Sequence, residues 1–297
     1  MFGNIKKLQK KVFIIIVTYN GEKWIRKNLQ SIKHSLVPVK VLVIDNNSSD
    51  NTVSIVKSFG DVELILMDEN LGFGSANNIA IEKALEQQAD YVFLLNQDTW
   101  IYPETVGNLV LAAEANPHFG IVSPLHYASN GMNLDTNFTT YWDRKTTSVS
   151  NNIDEVPFVN AAAWLVPRKV IEKVGYFEPM FRHYGEDRNY ANRVAYHNFK
   201  IVIAKDAKIC HDRVIIRHFE KDVTQSKLKI LSDILNINNS LVISYLKAFY
   251  AVIGLPKYFY KFYSFRKSTQ FFFELLWYYI TLKITVLKII KTRLSYK

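Results

Sequence analysis

Apolar residues in this chain come in short, nearly unbroken runs set between helical repeats. Val12 to Val17, Val39 to Ile44, Val62 to Met67 and Tyr91 to Leu95 are rich in β-branched and aromatic side chains. Runs of this kind predict strands covered on both faces. Between them, the spacing of apolar positions predicts helices over Glu22 to about Ser35 and Thr52 to Phe59, and another from the loop Asn70–Asn78 to about Gln87. Strands alternating with helices predict an α/β fold with a Rossmann-like, mainly parallel sheet and helices on both faces. Right-handed crossovers then bring four polar strand ends to one rim: Thr18–Asn20, Asp45–Asn47, Asp68–Asn70 and Asn96–Asp98. Open α/β sheets bind ligands along that rim.

Farther along, the pattern predicts a helix over Pro103–Asn116 and a short strand at Gly120–Ser123. Residues 126 to 156 are polar and weakly patterned, which predicts a long surface loop. A helix over Val166–Val174 begins at Pro167 and ends at Gly175, Gly185–His197 is amphipathic, and Lys200–Ala204 reads as a strand. From Thr224 onward the pattern is helical, with interruptions at Gly254 and Pro256. Phe271 to Ile290 is long enough to span a bilayer, but Glu274, Lys283 and Lys288 lie inside it. Three charges predict an interfacial amphipathic helix instead of a transmembrane one.

Charge divides the chain. Of 37 Lys+Arg and 27 Asp+Glu, residues 221 to 297 hold 13 and 3, leaving 24 of each sign in residues 1 to 220. The same 77 residues carry 16 of the 41 aromatics. A basic, aromatic tail on a neutral body predicts contact with an anionic surface. Interleaving of the basic residues with long apolar side chains argues against nucleic acid. The single cysteine, Cys210, excludes an intrachain disulfide and fits a reducing compartment. Met1 to Lys11 carries four lysines, and the apolar run after it is too short for a signal-peptide core.

Several rim residues are suited to chemistry. Asp98, beside Asn96 and Gln97 at the end of a buried strand, is a carboxylate able to hold a hard cation that also binds phosphate oxygens. His211 offers an imidazole, and with Asp98 it forms a mixed O/N set that Mn²⁺ accepts more readily than Mg²⁺. Thr18, Tyr19, Asn20 and Asp45 can hydrogen-bond a base or ribose. Gly72-Phe-Gly74-Ser-Ala-Asn77 half matches a dinucleotide fingerprint and opens a helix where a phosphate or ribose could approach. Glu186-Asp187 at a helix start caps the helix dipole or supplies a general base.

Taken in order, Val17-Thr-Tyr-Asn20, Val43-Ile-Asp-Asn-Asn-Ser-Ser-Asp50, Glu69 to Asn77, Leu94-Leu-Asn-Gln-Asp98, Gly185-Glu-Asp187 and His211 resemble the family 2 glycosyltransferases of the GT-A fold, most closely the bacterial rhamnosyltransferase-like branch. The resemblance covers about residues 10 to 215. It implies a GT-A-like catalytic domain over 1–220, with a nucleotide-sugar half at about 10–125 and an acceptor half at about 126–220. A basic, aromatic helical region follows over 221–297. It further implies that Thr18, Tyr19, Asn20, Asp45, Gly72, Ala76, Asn77, Asn96, Gln97 and Asp98 hold a nucleotide sugar. Asp98 and His211 would bind Mn²⁺ or Mg²⁺, and Asp187 would be the base of an inverting transfer. The implied donor is a dTDP- or UDP-sugar, with dTDP-L-rhamnose favoured. The implied acceptor is a glycan or a polyprenyl-diphosphate-linked glycan in cell-surface polysaccharide synthesis, met by the 126–156 segment and the region around Trp164. The implied location is the cytoplasmic face of the bacterial plasma membrane, peripherally held, with a homo-oligomer left open. Two positions depart from the family: Asn96 stands where the metal motif has its first acid, and Asn189 where the motif after Asp187 has its second. Two other readings compete, a non-catalytic nucleotide-sugar-binding or membrane-associated protein and a nucleotide-dependent enzyme on a doubly wound sheet.

Overall fold

The computed structural model describes residues 9–213 and 217–297. The lysine-rich opening segment therefore lies, up to residue 8, outside the described residues. The chain begins with β1 (Val12–Thr18), α1 (Glu22–Lys33), β2 (Val39–Asp45), α2 (Thr52–Lys57), β3 (Val62–Leu66), α3 (Phe73–Glu86) and β4 (Tyr91–Leu95). β1 lies between β2 and β4, parallel to both, and β3 extends β2 in the same sense. Side chains alternate across a strand, so Ile14 and Ile16 meet Ile25 and Leu29 of α1 while Phe13 and Ile15 meet Ala76 and Ala80 of α3. Burial on both faces is why β1, β2 and β4 read as continuous apolar runs, whereas β3, expected to be covered in the same way, lies at the sheet edge with Leu66 exposed. Parallel pairing also sends all four strand ends to one edge, and Thr18 stands opposite Asp45.

The second half mixes strand directions. It contains β5 (Thr99–Ile101), α4 (Thr105–Glu114), β6 (Phe119–Ala128), α5 (Thr136–Trp142), β7 (Thr147–Ser150), β8 (Ile153–Val156), β9 (Ala163–Pro167), α6 (Arg168–Val174), α7 (Glu186–Tyr196) and β10 (Lys200–His211). The ten strands run in the order β3-β2-β1-β4-β9-β6-β10-β8-β7, with β5 pairing β10 at its far end. β9 is antiparallel to both β4 and β6, and the result is a GT-A-like mixed sheet with flanking helices. Several expected boundaries are corrected. The segment 126–156 is not a loop: it completes β6, forms α5 and folds as the β7–β8 hairpin. Residues 166 and 167 close β9, so the following helix starts at Arg168. The strand beginning at Lys200 continues through a register shift after Ala204 as far as His211.

The tail forms α8 (Phe219–Leu235), α9 (Leu241–Phe259), α10 (Phe265–Ile284) and α11 (Val286–Ser295). These helices share a core that includes Val223, Ile230, Val252, Phe271 and Leu275, and Phe181 of the body inserts into it. The expected break at Gly254 and Pro256 is absent, because α9 continues through both. The real breaks precede Ser240 and Ser264, whose hydroxyls accept from the Ile243 and Lys267 amides and cap the next helices. Phe271–Ile290 is likewise two helices joined at Thr285. Glu274 pairs with Lys227 of α8 at 2.8 Å. Buried Arg293 donates to the carbonyls of Ile234, Asn236 and Asn239, satisfying the end of α8 and the turn after it. Among the described residues, no helix is long and apolar enough to cross a membrane.

Candidate active site

The rim is knitted by side chains that leave the strand ends. Asp45 is 2 % exposed, and its carboxylate accepts from the Thr18 hydroxyl at 2.9 Å, the Ser48 amide at 2.8 Å and the Ser48 hydroxyl at 2.6 Å. The Asn20 side chain accepts from the Ser49 amide at 2.9 Å. Gln97 grips the backbone of Tyr19, accepting from its N–H at 3.0 Å and donating to its carbonyl at 3.2 Å. This leaves the Tyr19 ring half exposed at the edge. Thr18, Tyr19, Asn20, Asp45 and Gln97 thus come together, as the motif order requires.

Asn46, which motif reasoning passed over, does the linking. It donates to Asn70 Oδ1 at 2.9 Å and to the Gly72 carbonyl at 3.3 Å, and it accepts from the Leu71 amide at 2.9 Å. Gly72 takes φ +81° and ψ 171°, a region that essentially only glycine occupies. A Cβ there would lie 1.6 Å from the Arg182 carbonyl oxygen. The Gly72 loop therefore touches the segment leading to Asp187. Ala76 and Asn77 lie one turn deeper and do not reach the surface of the site. Ala76 packs in the core, and the Asn77 amide donates back to the Phe73 carbonyl at 2.9 Å.

Next to the rim is a cavity of about 660 Å³. It is lined by Asn96, Asp98 and His211 from the strand ends, by Glu186, Asp187 and Arg188 from the start of α7, and by Asn137, Tyr141 and Phe158 from the segment between β6 and β9. Thus α5, inside the segment expected to be a loop, does face the site. Trp164 does not, being fully buried in β9 against Tyr190. The remaining wall comes from the tail: Lys221, Asp222, Gln225, Lys229 and Ser232 of α8. Among the described residues, nine buried polar atoms lack a hydrogen-bond partner, and four of them belong to residues of this cavity: Asn160 Oδ1, Glu186 Oε2, His211 Nδ1 and Ser232 Oγ. Unpaired buried polar atoms are costly, so such a cluster points to a polar ligand.

His211 stands opposite Thr99 in the β5–β10 pairing, which aims its ring at Asp98. His211 Nε2 and Asp98 Oδ2 are 3.3 Å apart. Two ligands at right angles on an octahedral cation, at about 2.1 Å each, stand about 3 Å apart, so the pair fits one divalent cation. No group of three or more His, Cys, Asp or Glu residues among those described could hold a metal. The other coordination positions would thus fall to water and to a ligand's oxygens. In the same cavity, Tyr184 at φ +76° and Gly185 at φ +86° turn the chain sharply into α7. The Asp187 carboxylate accepts from the Arg188 amide at 2.7 Å. Burial raises the Asp187 pKa above the ordinary carboxylate value, although that hydrogen bond and Arg188 oppose the shift. Burial, with Asp187 beside it, pushes Glu186 up to about 8. Asn189 lies beneath the site, fully buried, and accepts from Arg193 Nε at 3.2 Å. Its departure from the family acid therefore falls on a packing contact and not on the cavity wall.

Comparison with known proteins places the fold and the family. The N-acetylglucosaminyl-diphospho-decaprenol L-rhamnosyltransferase of Mycobacterium tuberculosis is 25 % identical over 231 residues, spanning 67 % of this chain and 75 % of that protein. An uncharacterized glycosyltransferase of Rickettsia prowazekii is 23 % identical over 177 residues, spanning 58 % of this chain and only 55 % of the relative. Among solved structures, the Pyrobaculum calidifontis mannosyltransferase in complex with GDP-Man and Mn²⁺ superposes with a TM-score of 0.62 at 17 % identity, over 98 % of this chain and 88 % of that one. Residues 13–175, more than half of the 297, match the model for glycosyl transferase family 2, and the chain belongs to that family.

Proposed function

We propose that this protein is an inverting, divalent-metal-dependent glycosyltransferase moving a sugar from a nucleotide donor to a glycan or polyprenyl-diphosphate-linked acceptor. The observation that supports the reading is that the Asp98–His211 pair and Asp187 line one and the same cavity beside the strand-end rim. Thr18, Asp45, Tyr19, Asn20 and the Gly72 loop hold the nucleoside, with Gln97 fixing Tyr19. Asn96 and Asp98 lie toward the diphosphate. Asp98 and His211 would hold Mn²⁺ or Mg²⁺, which when bound offsets the charge of the departing nucleoside diphosphate. Arg213 adds a cation to the same cavity. Asp187 takes the proton of an acceptor hydroxyl, that oxygen bonds to the anomeric carbon, and the bond from that carbon to the diphosphate breaks with inversion. A carboxylate whose pKa is raised by burial is the stronger base for this step.

The mycobacterial relative is by name an L-rhamnosyltransferase acting on a diphospho-decaprenol-linked sugar, which supports L-rhamnose as the sugar moved and a lipid-linked acceptor; the donor in this reading is dTDP-L-rhamnose. Residues 1–220 form the catalytic unit, divided near 125 into donor and acceptor halves, and 221–297 form a helical region whose first helix closes the acceptor side. That region holds the enzyme peripherally at the inner face of the plasma membrane. Asp187→Asn tests the assignment. Nucleoside diphosphate binding with Mn²⁺ stays at the wild-type level while transfer falls by about 10²–10⁴-fold. Transfer retained at the wild-type rate removes Asp187 from the role.

A further inference from the structure

A second, apolar groove of about 480 Å³ lies between α9 and α10, walled by Pro256, Tyr260, Phe265, Phe272 and Phe273. Phe265 and Phe273 are well exposed, and open aromatic walls of this kind mark a surface built for an apolar partner. The short connection 260–264 carries residues both to this groove and to the active site. Tyr260 lines the groove. Phe262 stacks under the Arg217 guanidinium at 3.9 Å, and the Tyr263 hydroxyl donates to Asp222 at 2.7 Å. Arg217 donates to the same carboxylate at 2.8 Å. Arg217, Lys221 and Asp222 belong to the cavity holding Asp187. Asp222 is thus engaged by Arg217 and Tyr263, while Lys221 makes no ion pair among the described residues.

We infer that the groove seats the hydrocarbon of an isoprenoid diphosphate acceptor whose charged head lies on Arg217 and Lys221, with its terminal sugar directed toward Asp187. The inference rests on the lipid-linked acceptor proposed above and assigns its binding site. Cations at the cavity end match a diphosphate, and carbon walls beyond the 260–264 connection match a chain of methylenes and methyls. A free diphosphate could use only the first part, and an uncharged isoprenoid such as farnesol only the second.

The probe is farnesyl diphosphate, titrated into the full chain by calorimetry with the donor site held by Mn²⁺ and thymidine or uridine diphosphate. Wild-type protein should bind it at least tenfold more tightly than inorganic diphosphate or farnesol. Tyr260→Asp and Phe273→Asp, both at exposed positions, should weaken it about tenfold with nucleotide binding unchanged, and Lys221→Glu should weaken both farnesyl and inorganic diphosphate. Equal affinity for farnesyl and inorganic diphosphate overturns the inference. So does undiminished farnesyl diphosphate binding by groove variants that have lost phosphatidylglycerol vesicles, since the groove is then a bilayer contact. Absence of nucleotide binding would sink the donor reading instead, so the two failures are distinguishable.

Discussion

Gly72→Ala should uncouple the strand-end rim from the segment that leads into the helix bearing Asp187. The perturbation is one methyl group, placed 1.6 Å from the Arg182 carbonyl oxygen where ordinary contact is more than 3 Å. Backbone atoms stand on both sides, so no side chain can swing away. Holding an alanine at φ +81° and ψ 171° costs about 1–3 kcal/mol. Relieving the clash requires the loop to move, which gives up the Gly72 amide bond to Asn70 and the Asn46 bond to the Gly72 carbonyl, at about 0.5–1.5 kcal/mol each. The centre of that range is roughly 4 kcal/mol, which for a domain of this size lowers Tm by about 8–16 °C. Differential scanning calorimetry measures it, with Gly60→Ala as control because a Cβ there meets nothing within 4 Å. Arg182 precedes Asp187 by five residues, so nucleoside diphosphate affinity should fall along with Tm. A Gly72→Ala protein melting within 2 °C or so of the Gly60→Ala control would refute the reasoning.

Other consequences follow from the same geometry. Burial pushes the Glu186 pKa up to about 8 in the folded state, against the ordinary glutamate value when unfolded, so the folded state binds more protons between those values and stability falls as pH rises through the window. Glu186→Gln should therefore raise Tm at pH 8.5 and leave it almost unchanged at pH 4.5; a gain at pH 4.5 equal to that at pH 8.5 would count against a titrating group. Arg293→Ala leaves the Ile234 and Asn239 carbonyls without this donor and the Asn236 carbonyl with only the Ser244 hydroxyl, and should cost about 2–6 kcal/mol, at about 1–3 kcal/mol for each of two buried acceptors left unsatisfied. Thermal melts measure this, and an unchanged Tm would mean the cap contributes nothing. Asp98→Asn should weaken the Mn²⁺-dependent part of nucleoside diphosphate binding by about 10–100-fold and leave metal-free binding as it was, in a titration run with and without chelator.

The first four strands and the helices between them were legible because their signal is physical and local. A strand buried on both faces must be apolar throughout, so Val12–Val17 and Tyr91–Leu95 announce themselves, and parallel pairing then fixes which ends carry the polar residues. The segment 126–156 gave no such signal. β7 is exposed on both faces and spells Thr-Ser-Val-Ser, while α5 is two turns long and rich in threonine. Its one local cue was Asp135, whose carboxylate caps α5 by accepting from the Phe138 amide at 2.7 Å. Pro256 misled for the opposite reason. Proline normally ends a helix, but Ala248, Val252 and Pro256 all face inward from α9, and packing of that face overrides the local preference. Asn46 was passed over because one asparagine in a polar cluster looks like any other; only the arrival of Asn70 and Gly72 from another strand end shows what it holds.

The tail's charge of +10 suggested one anionic partner, and the structure divides it among different jobs. Lys221 and Lys229 line the cavity that holds Asp187. Lys227 is spent on Glu274, and Arg293 is buried as a helix cap. The basic residues left over share helices with side chains such as Trp277, 68 % exposed, and Leu287, 80 % exposed. One face of α10 packs inward through Phe271, Leu275 and Tyr279 while Phe273, Trp277 and Ile284 point outward. A helix apolar on both sides has no reason to remain so in water unless the outer side is also covered. The same helix braces α8 through Glu274, and α8 closes the site. Anything that seats on the outer face therefore lies one ion pair away from the helix that lines the cavity holding Asp187.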